Sequence, residues 1–231
     1  MYKKILFAIA SAAAALVAAT SASAAPNLVT NGNFEAGNSG FTSDYGFSAG
    51  SNCCEGQYTV GTTPSDFNGA FVNPGDHTTG TGNMYIGNGS PADGALVWGS
   101  ELIAVAQNTN YFFEAFVHNL CCSFPFPGNT PAILGFSVKG LATESLGTAT
   151  ASLDNPNWQG ISKSWFSGSN TLVTLSLINR NTARAGNDFA LDDVYLGTTS
   201  TVVPEPGTYV LFALGLGGIA ALSQRRRPRA A

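Results

Sequence analysis

Charge is what this sequence has least of. Charged residues make up 10 % of its 231 positions, 10 basic and 14 acidic, against roughly 25 % in an ordinary soluble chain. Basic residues are scarcest where a ligand would have to be held. Lys3, Lys4, Arg225, Arg226, Arg227 and Arg229 are terminal. Between residues 26 and 202 only Lys139, Lys163, Arg180 and Arg184 face thirteen acids, a balance of −9. A phosphate backbone is bound by clustered Lys and Arg, so nucleic acid is excluded as a partner. The chain has no H-E-x-x-H, no phosphate-binding loop and no dinucleotide fingerprint. Its only histidines are His77 and His118. Gly46 to Gly50 spells G-x-S-x-G around Ser48, but it lies among Gly and Ser, and Asn52-Cys53-Cys54 follows where a hydrolase needs a helix. A serine hydrolase working through Ser48 is kept only as a remote alternative. Glycoside hydrolysis needs two carboxylates across a cleft, and no spacing here selects a pair. A non-enzymatic protein is expected.

Sustained helical periodicity is also missing between Pro26 and about Thr201. Short runs alternate instead between clusters of Gly, Asn, Pro and Asp. "YFFEAFVHN" (111–119) puts Tyr111, Phe113, Ala115 and Val117 on one face and Phe112, Glu114, Phe116 and His118 on the other. "TLVTLSLIN" (171–179) groups Val173, Leu175 and Leu177. Further strand candidates are 57–60, 83–87, 95–105, 132–138, 161–166 and 189–197. Many short strands without crossover helices predict an all-β, antiparallel sandwich over residues 25–200 with its chain ends adjacent.

The two ends of the sequence read as targeting segments. Residues 1–24 have a basic start, an apolar stretch from Ile5 to Ala19 and Ala22-Ser23-Ala24, which fits A-x-A cleavage by signal peptidase; a buried helix or an uncleaved anchor is the other reading. At the far end, Val203-Pro204-Glu205-Pro206 precedes an apolar run, Gly207 to Leu222, and then Arg225, Arg226 and Arg227. The run is slightly shorter than the ~20 residues that span a bilayer. The arginines would stay cytoplasmic as a stop-transfer patch. In order and position, residues 203–231 resemble the PEP-CTERM sorting signal of Gram-negative bacteria. That resemblance implies recognition near Pro204-Glu205-Pro206 by a membrane-embedded peptidase of the exosortase type. It further implies an inner-membrane-anchored precursor whose tail is removed, and delivery to the cell surface or exopolysaccharide matrix. A plain single-span anchor is the alternative.

Within the exported part, "NLVTNGNFEAG" (27–37), "GDHTTGTGNMYIGNG" (75–89) and "GNDFALDDVYLG" (186–197) together resemble jelly-roll modules of the galactose- and carbohydrate-binding type, and the extracellular MAM domains. In those families the first and last strands lie side by side, tied by a cation, often Ca²⁺. Carried over, the ligands are Glu35 and Asp193, with Asp192 and Asp76 as further candidates. The residues agree in one respect: acids are rare, and Glu35, Asp192 and Asp193 sit in apolar flanks, where a carboxylate without a partner is costly. Turn capping or solvent exposure would also account for them.

The cysteines come as two adjacent pairs, Cys53-Cys54 and Cys121-Cys122. Three connectivities are open. Bonding within a pair strains the intervening peptide, so bridges from 53/54 to 121/122 are expected, with zinc a weaker alternative because the usual Cys-x-x-Cys spacing is absent. Tyr45, Tyr58, Phe124 and Phe126 are the candidate ligand-binding aromatics, with the reading that the two phenylalanines merely cover the sandwich end left open. Two roles follow. One is an adhesion or scaffold unit of the surface or matrix. The other is a carbohydrate-binding module that holds matrix polysaccharide directly.

Overall fold

The computed structural model describes residues 26–51, 54–122 and 128–202. The expected leader (1–24), Cys53, Phe124, Phe126, Val203 to Pro206 and the arginine cluster lie outside them.

The strands are β1 (Phe41–Thr42), β2 (Gly46–Phe47), β3 (Gln57–Gly61), β4 (Met84–Asn88), β5 (Leu96–Ser100), β6 (Ile103–Ala104), β7 (Asn110–Asn119), β8 (Ile133–Lys139), β9 (Thr143–Thr150), β10 (Gln159–Phe166), β11 (Leu172–Asn179) and β12 (Phe189–Gly197). They form two sheets. The first runs β1-β5-β11-β8-β9, with β6 also on β11; the second runs β10-β7-β12-β4-β3-β2. All pairings are antiparallel except the two-residue contact of β2 with β3. The single helix among the described residues is α1 (Pro64–Phe67). This is the expected sandwich; the alternation marks all of its strands except β1, β2 and β9. One run is divided: 95–105 breaks at Glu101 and Leu102 into β5 and β6.

The core forms because each inner face supplies a row of apolar side chains. Tyr111, Phe113, Ala115 and Val117 of β7 are buried, as are Val173, Leu175 and Leu177 of β11. Across the gap, Phe113 meets Phe136 of β8 edge to face at 5.0 Å. Phe34, Phe41, Tyr58, Tyr85 and Phe189 make a chain of ring contacts that carries the N-terminal segment into the same core. Apolar area of this kind is the main stabilising term, roughly 25 cal/mol per Å² buried.

The second sheet is covered on its outer face too. The crossing between β3 and β4 brings Phe67 and Phe71 onto Met84, Ile86, Ala190 and Leu120 in a smaller cluster, with Trp158 and Val72 packed against it. That explains why β12 is buried along nearly its whole length: a strand sandwiched on both faces reads as a continuous apolar run.

The chain ends are adjacent. The Leu28 N–H donates to the Leu196 carbonyl at 2.9 Å, and the Val194 N–H to the Gly32 carbonyl at 2.8 Å. Asn27 adds Nδ2 to the Val194 carbonyl and receives the Leu196 N–H.

At the start of β12, Asp188 is buried and accepts the Gly89 N–H at 3.0 Å. Burial pushes its carboxyl up to about 6 from 3.8, despite that hydrogen bond. The folded state therefore holds a proton that the unfolded chain has already released between about pH 4 and 6, so this group's contribution to stability falls as pH rises through that window. Asp188→Asn keeps an acceptor without the charge. Relative to this variant, the wild type should lose on the order of 3 kcal/mol between pH 4 and pH 7, read by urea unfolding across the range.

Candidate functional site

The sequence motifs converge on the outer face of the second sheet. The register of β12 against β7 shifts between Asp192 and Tyr195, and Asp193 takes φ +45°. A bulge of this kind re-aims side chains. Here it turns two consecutive acids onto one turn. Asp192 accepts the His77 N–H at 2.7 Å and the Thr78 N–H at 3.3 Å through Oδ2, and the Asp193 N–H at 2.8 Å through Oδ1. Asp193 lies 2.6 Å from His77 Nδ1 and accepts the Thr78 hydroxyl at 2.8 Å. The His77 ring stacks on Phe116 with centroids 3.5 Å apart. Asp192 is fully buried. Burial first, and then the charge of Asp193, push its carboxyl up to about 7 against the three N–H donors.

Asp76 works within its own turn. It accepts the Thr79 N–H at 2.7 Å, the Gly82 N–H at 2.5 Å and the Thr79 hydroxyl. Burial raises its pKa, but these donors outweigh burial and hold it below the ordinary carboxylate value. Glu35 accepts the Asn83 N–H at 2.9 Å. A Cβ on Gly82 would lie 2.1 Å from Glu35 Oε1 and 3.2 Å from Asp76 Oδ2, so both carboxylates flank this glycine.

The expected ligand set is thus divided. Glu35 and Asp76 flank Gly82, whereas Asp193 and Asp192 are taken up by His77 and Thr78. Among the described residues no group of three or more His, Cys, Asp or Glu side chains is arranged to hold a metal ion.

The cysteine expectation is corrected. Cys121 and Cys122 are bonded to each other, with Cα atoms 3.0 Å apart. A thiol makes one such bond, so neither remains to bridge Cys53 or Cys54. Cys54 is also disulfide-bonded, and Cys53 lies outside the described residues. Two of the four candidate aromatics, Tyr45 and Tyr58, are corrected as well. Tyr45 is buried with its hydroxyl oxygen accepting the Ser90 N–H at 3.0 Å, and Tyr58 is buried against Tyr85, stacked at 4.8 Å. Both belong to the core. Ser48 sits in a loop after β2 with no helix behind it, so the G-x-S-x-G spacing lacks the strand-turn-helix that gives it force.

Sequence reasoning missed one residue of the site. Glu114, fully buried on β7, receives the Ser162 hydroxyl at 2.5 Å, the Ser200 hydroxyl, the Thr201 hydroxyl at 2.6 Å, and the N–H groups of Thr201 and Val202 at 2.8 and 3.3 Å. Burial raises its pKa, yet the hydroxyl and N–H donors outweigh burial and hold the group ionised below its usual range. Its signal was present: an acid between Phe112 and Phe116, the same apolar setting that singled out Glu35 and Asp192.

Residues 202–227 match the PEP-CTERM protein-sorting motif. The chain carries a PEP-CTERM sorting signal. Its first residue, Val202, is the one whose N–H reaches Glu114, so the signal begins where the sandwich ends. No curated protein matches the sequence. Among solved structures, the apo form of a cyclase from Fischerella sp. is similar with a TM-score of 0.53 at 16 % identity, covering 77 % of this chain and 97 % of that one. This is likeness of fold alone. The carbohydrate-binding module TmCBM61, solved with beta-1,4-galactotriose, gives 0.48 at 14 % identity over 75 % of this chain and 99 % of its own.

Glu114→Ala should release the segment that joins the sandwich to its PEP-CTERM signal. Amide exchange at residues 200–202 should rise, while β7 and β12 stay protected. The loss of stability should be about 1–3 kcal/mol, because the freed donors near the surface can turn to water. Unchanged exchange at 200–202 would show that the carboxylate does not hold the segment.

Proposed function

We propose that the protein is an exported, non-catalytic surface or matrix protein of a Gram-negative bacterium, whose sandwich serves adhesion or scaffolding. Its PEP-CTERM tail first anchors the precursor in the inner membrane, and an exosortase-type peptidase then removes it. The observation that carries this reading is the junction. The signal starts at Val202, on the last residues bonded to Glu114, so the folded unit and the processing signal meet without a long linker. Pro204 and Pro206 fix their own backbones and bias the residues before them toward extended form. Peptidase clefts bind substrate backbone in that form, and Glu205 between the prolines offers a single charge for recognition.

A non-catalytic role is supported by how the reactive groups are used. His77 is stacked on Phe116 and hydrogen-bonded to Asp193. Both nitrogens of His118 lie against carbonyl oxygens, of Asn119 at 2.6 Å and Pro156 at 3.0 Å. Ser48 has no catalytic setting. The second reading, direct holding of matrix polysaccharide, is favoured by the low charge and by a surface made largely of hydroxyl and amide groups.

A structural cation, Ca²⁺ by chemistry, belongs to the same proposal in reduced form. Glu35 and Asp76 would hold it: their carboxylates flank Gly82, and neither forms an ion pair with a basic side chain among the described residues. A hard cation prefers such oxygens, and it would tie the N-terminal loop to the crossing between β3 and β4. Binding only to the folded state stabilises it by mass action.

Two experiments test the reading. Glu205→Ala, or removal of Arg225 to Arg227, should leave uncleaved precursor in the inner membrane, while mass spectrometry of wild-type protein from native cells should find the tail gone. Intact chains ending at Ala231 on the cell surface would refute processing. EDTA should lower the melting temperature of the processed protein, and elemental analysis should find calcium; an unchanged transition in metal-free protein would remove the cation.

A further inference from the structure

A cavity of about 430 Å³ opens at one end of the second sheet, between residues 72–74, residues 118–122 and residues 153–156. Its three walls are tied together by the chain itself. Both ring nitrogens of His118 contact carbonyls, and through Pro156 one of them fastens the β7 end to the 153–156 loop. The Val72 N–H donates to the Leu120 carbonyl at 3.0 Å, and Phe71 bridges to Cys121. Trp158 sets its ring against His118 at 5.6 Å. Walls held in this way lose little freedom when a ligand enters.

The lining mixes two chemistries. Val72, Pro74, Leu153 and Pro156, with the bonded sulfurs of Cys121 and Cys122, present apolar surface. Asn73, Asn119, Asp154 and Asn155 present amides and one carboxylate. Among the described residues no Lys or Arg side chain lines it. The Asn119 amide spends Nδ2 on the Cys121 carbonyl, while its buried Oδ1 has no donor, so this wall is one hydrogen bond short of satisfied.

We propose that this cavity binds a short neutral oligosaccharide. A sugar ring has C–H faces that lie on apolar, polarisable surface such as prolines and sulfur, and a rim of hydroxyls that both donate to and accept from amides. The volume falls within the roughly 300–1,000 Å³ of small-molecule sites. With no Lys or Arg in the lining among the described residues, and with the Asp154 carboxylate present, the site offers little to hold phosphate, sulfate or uronate groups. His118 is spent on carbonyls and the two cysteines on each other, so none of the three serves as base or metal ligand here. The proposal rests on the reading of a protein delivered to a polysaccharide matrix, and names the part of it that touches the polymer.

The test uses processed, oxidised protein recovered from native cells. Isothermal titration and saturation-transfer NMR are run with neutral trisaccharides of glucose, galactose and mannose, and with an oligogalacturonide as the anionic probe. At least one neutral trisaccharide should bind and the oligogalacturonide should not. The rim variant Asp154→Ala/Asn155→Ala should weaken binding about 10-fold or more, with the circular-dichroism spectrum unchanged. Cys121→Ser/Cys122→Ser should weaken it as well, which keeps the test open should the rim variant misfold. Binding left unchanged by both variants, preference for the anionic probe, or no binding by any neutral trisaccharide would each overturn the proposal. The sorting reading fails separately: it is judged by the mass and location of the native protein, not by sugar affinity.

Discussion

The hydrogen bonds between residues 27–32 and β12 are the constraint on which the candidate site depends. They join positions more than 160 residues apart in sequence, such as Asn27 and Val194. Gly32 makes the approach feasible, because a Cβ there would lie 2.0 Å from the Val194 carbonyl oxygen. Val194, bonded to Gly32, lies within the bulge that begins at Asp192 and Asp193. From the bulge come the two carboxylates on His77 and Thr78, and so the hold on the crossing segment that covers the second sheet. Further along, the Tyr195 hydroxyl donates to the Thr199 carbonyl at 2.8 Å, which turns the chain back toward Glu114. Closing so long a loop carries an entropic cost that grows slowly with its length. The rings of Phe34 and Phe41 against Tyr58 and Tyr85 offset it on the N-terminal side.

The fold was legible where burial and strand period agree. β7 and β11 alternate cleanly because one face of each meets the core, and their inward residues were readable one by one. The alternation does not mark β9, Thr143–Thr150, because an edge strand of Thr, Ser, Glu, Gly and Ala with a single Leu buries little and leaves no periodic trace. The layer over the second sheet was equally hidden. Its contributors, Phe67 and Phe71, come from a short helix and a loop, where spacing carries no information about direction. The hint lay on the strands instead, since β7 shows Phe112 and Phe116 on its second face, and a solvated face would have shown polar residues.

The motifs mark four acids of this region but neither Glu114 nor the pairing among the four. Glu35, Asp76, Asp192 and Asp193 all lie in the region where the motifs meet. Which carboxylate faces which donor depends on a one-residue bulge, and no sequence period encodes that. The cysteines failed for a related reason: four thiols in two adjacent pairs fix the options, while loop trajectories choose among them. Tyr45 and Tyr58 stand in the sequence as candidate ligand-binding aromatics, yet Tyr45, just before β2, and Tyr58, on β3, both turn into the core.

Low charge connects these observations to the proposed setting. A chain with few lysines and arginines cannot neutralise its buried carboxylates by ion pairing, and the three ion pairs among the described residues leave Glu114 and Asp76 without a partner of that kind. Backbone N–H and hydroxyl groups do the work instead, which is why Ser, Thr and Gly crowd around each acid. Such bonds to a carboxylate are stronger than neutral ones and are screened little by salt when buried. The outer surface inherits the same composition. Hydroxyls and amides there can exchange hydrogen bonds with water or with a hydrated polymer at nearly equal free energy, so the proposed contact with a neutral matrix would be reversible and weak per site. A protein of this kind would gain strength from many copies rather than from one tight contact, and removal of a membrane tail would let those copies spread through the matrix.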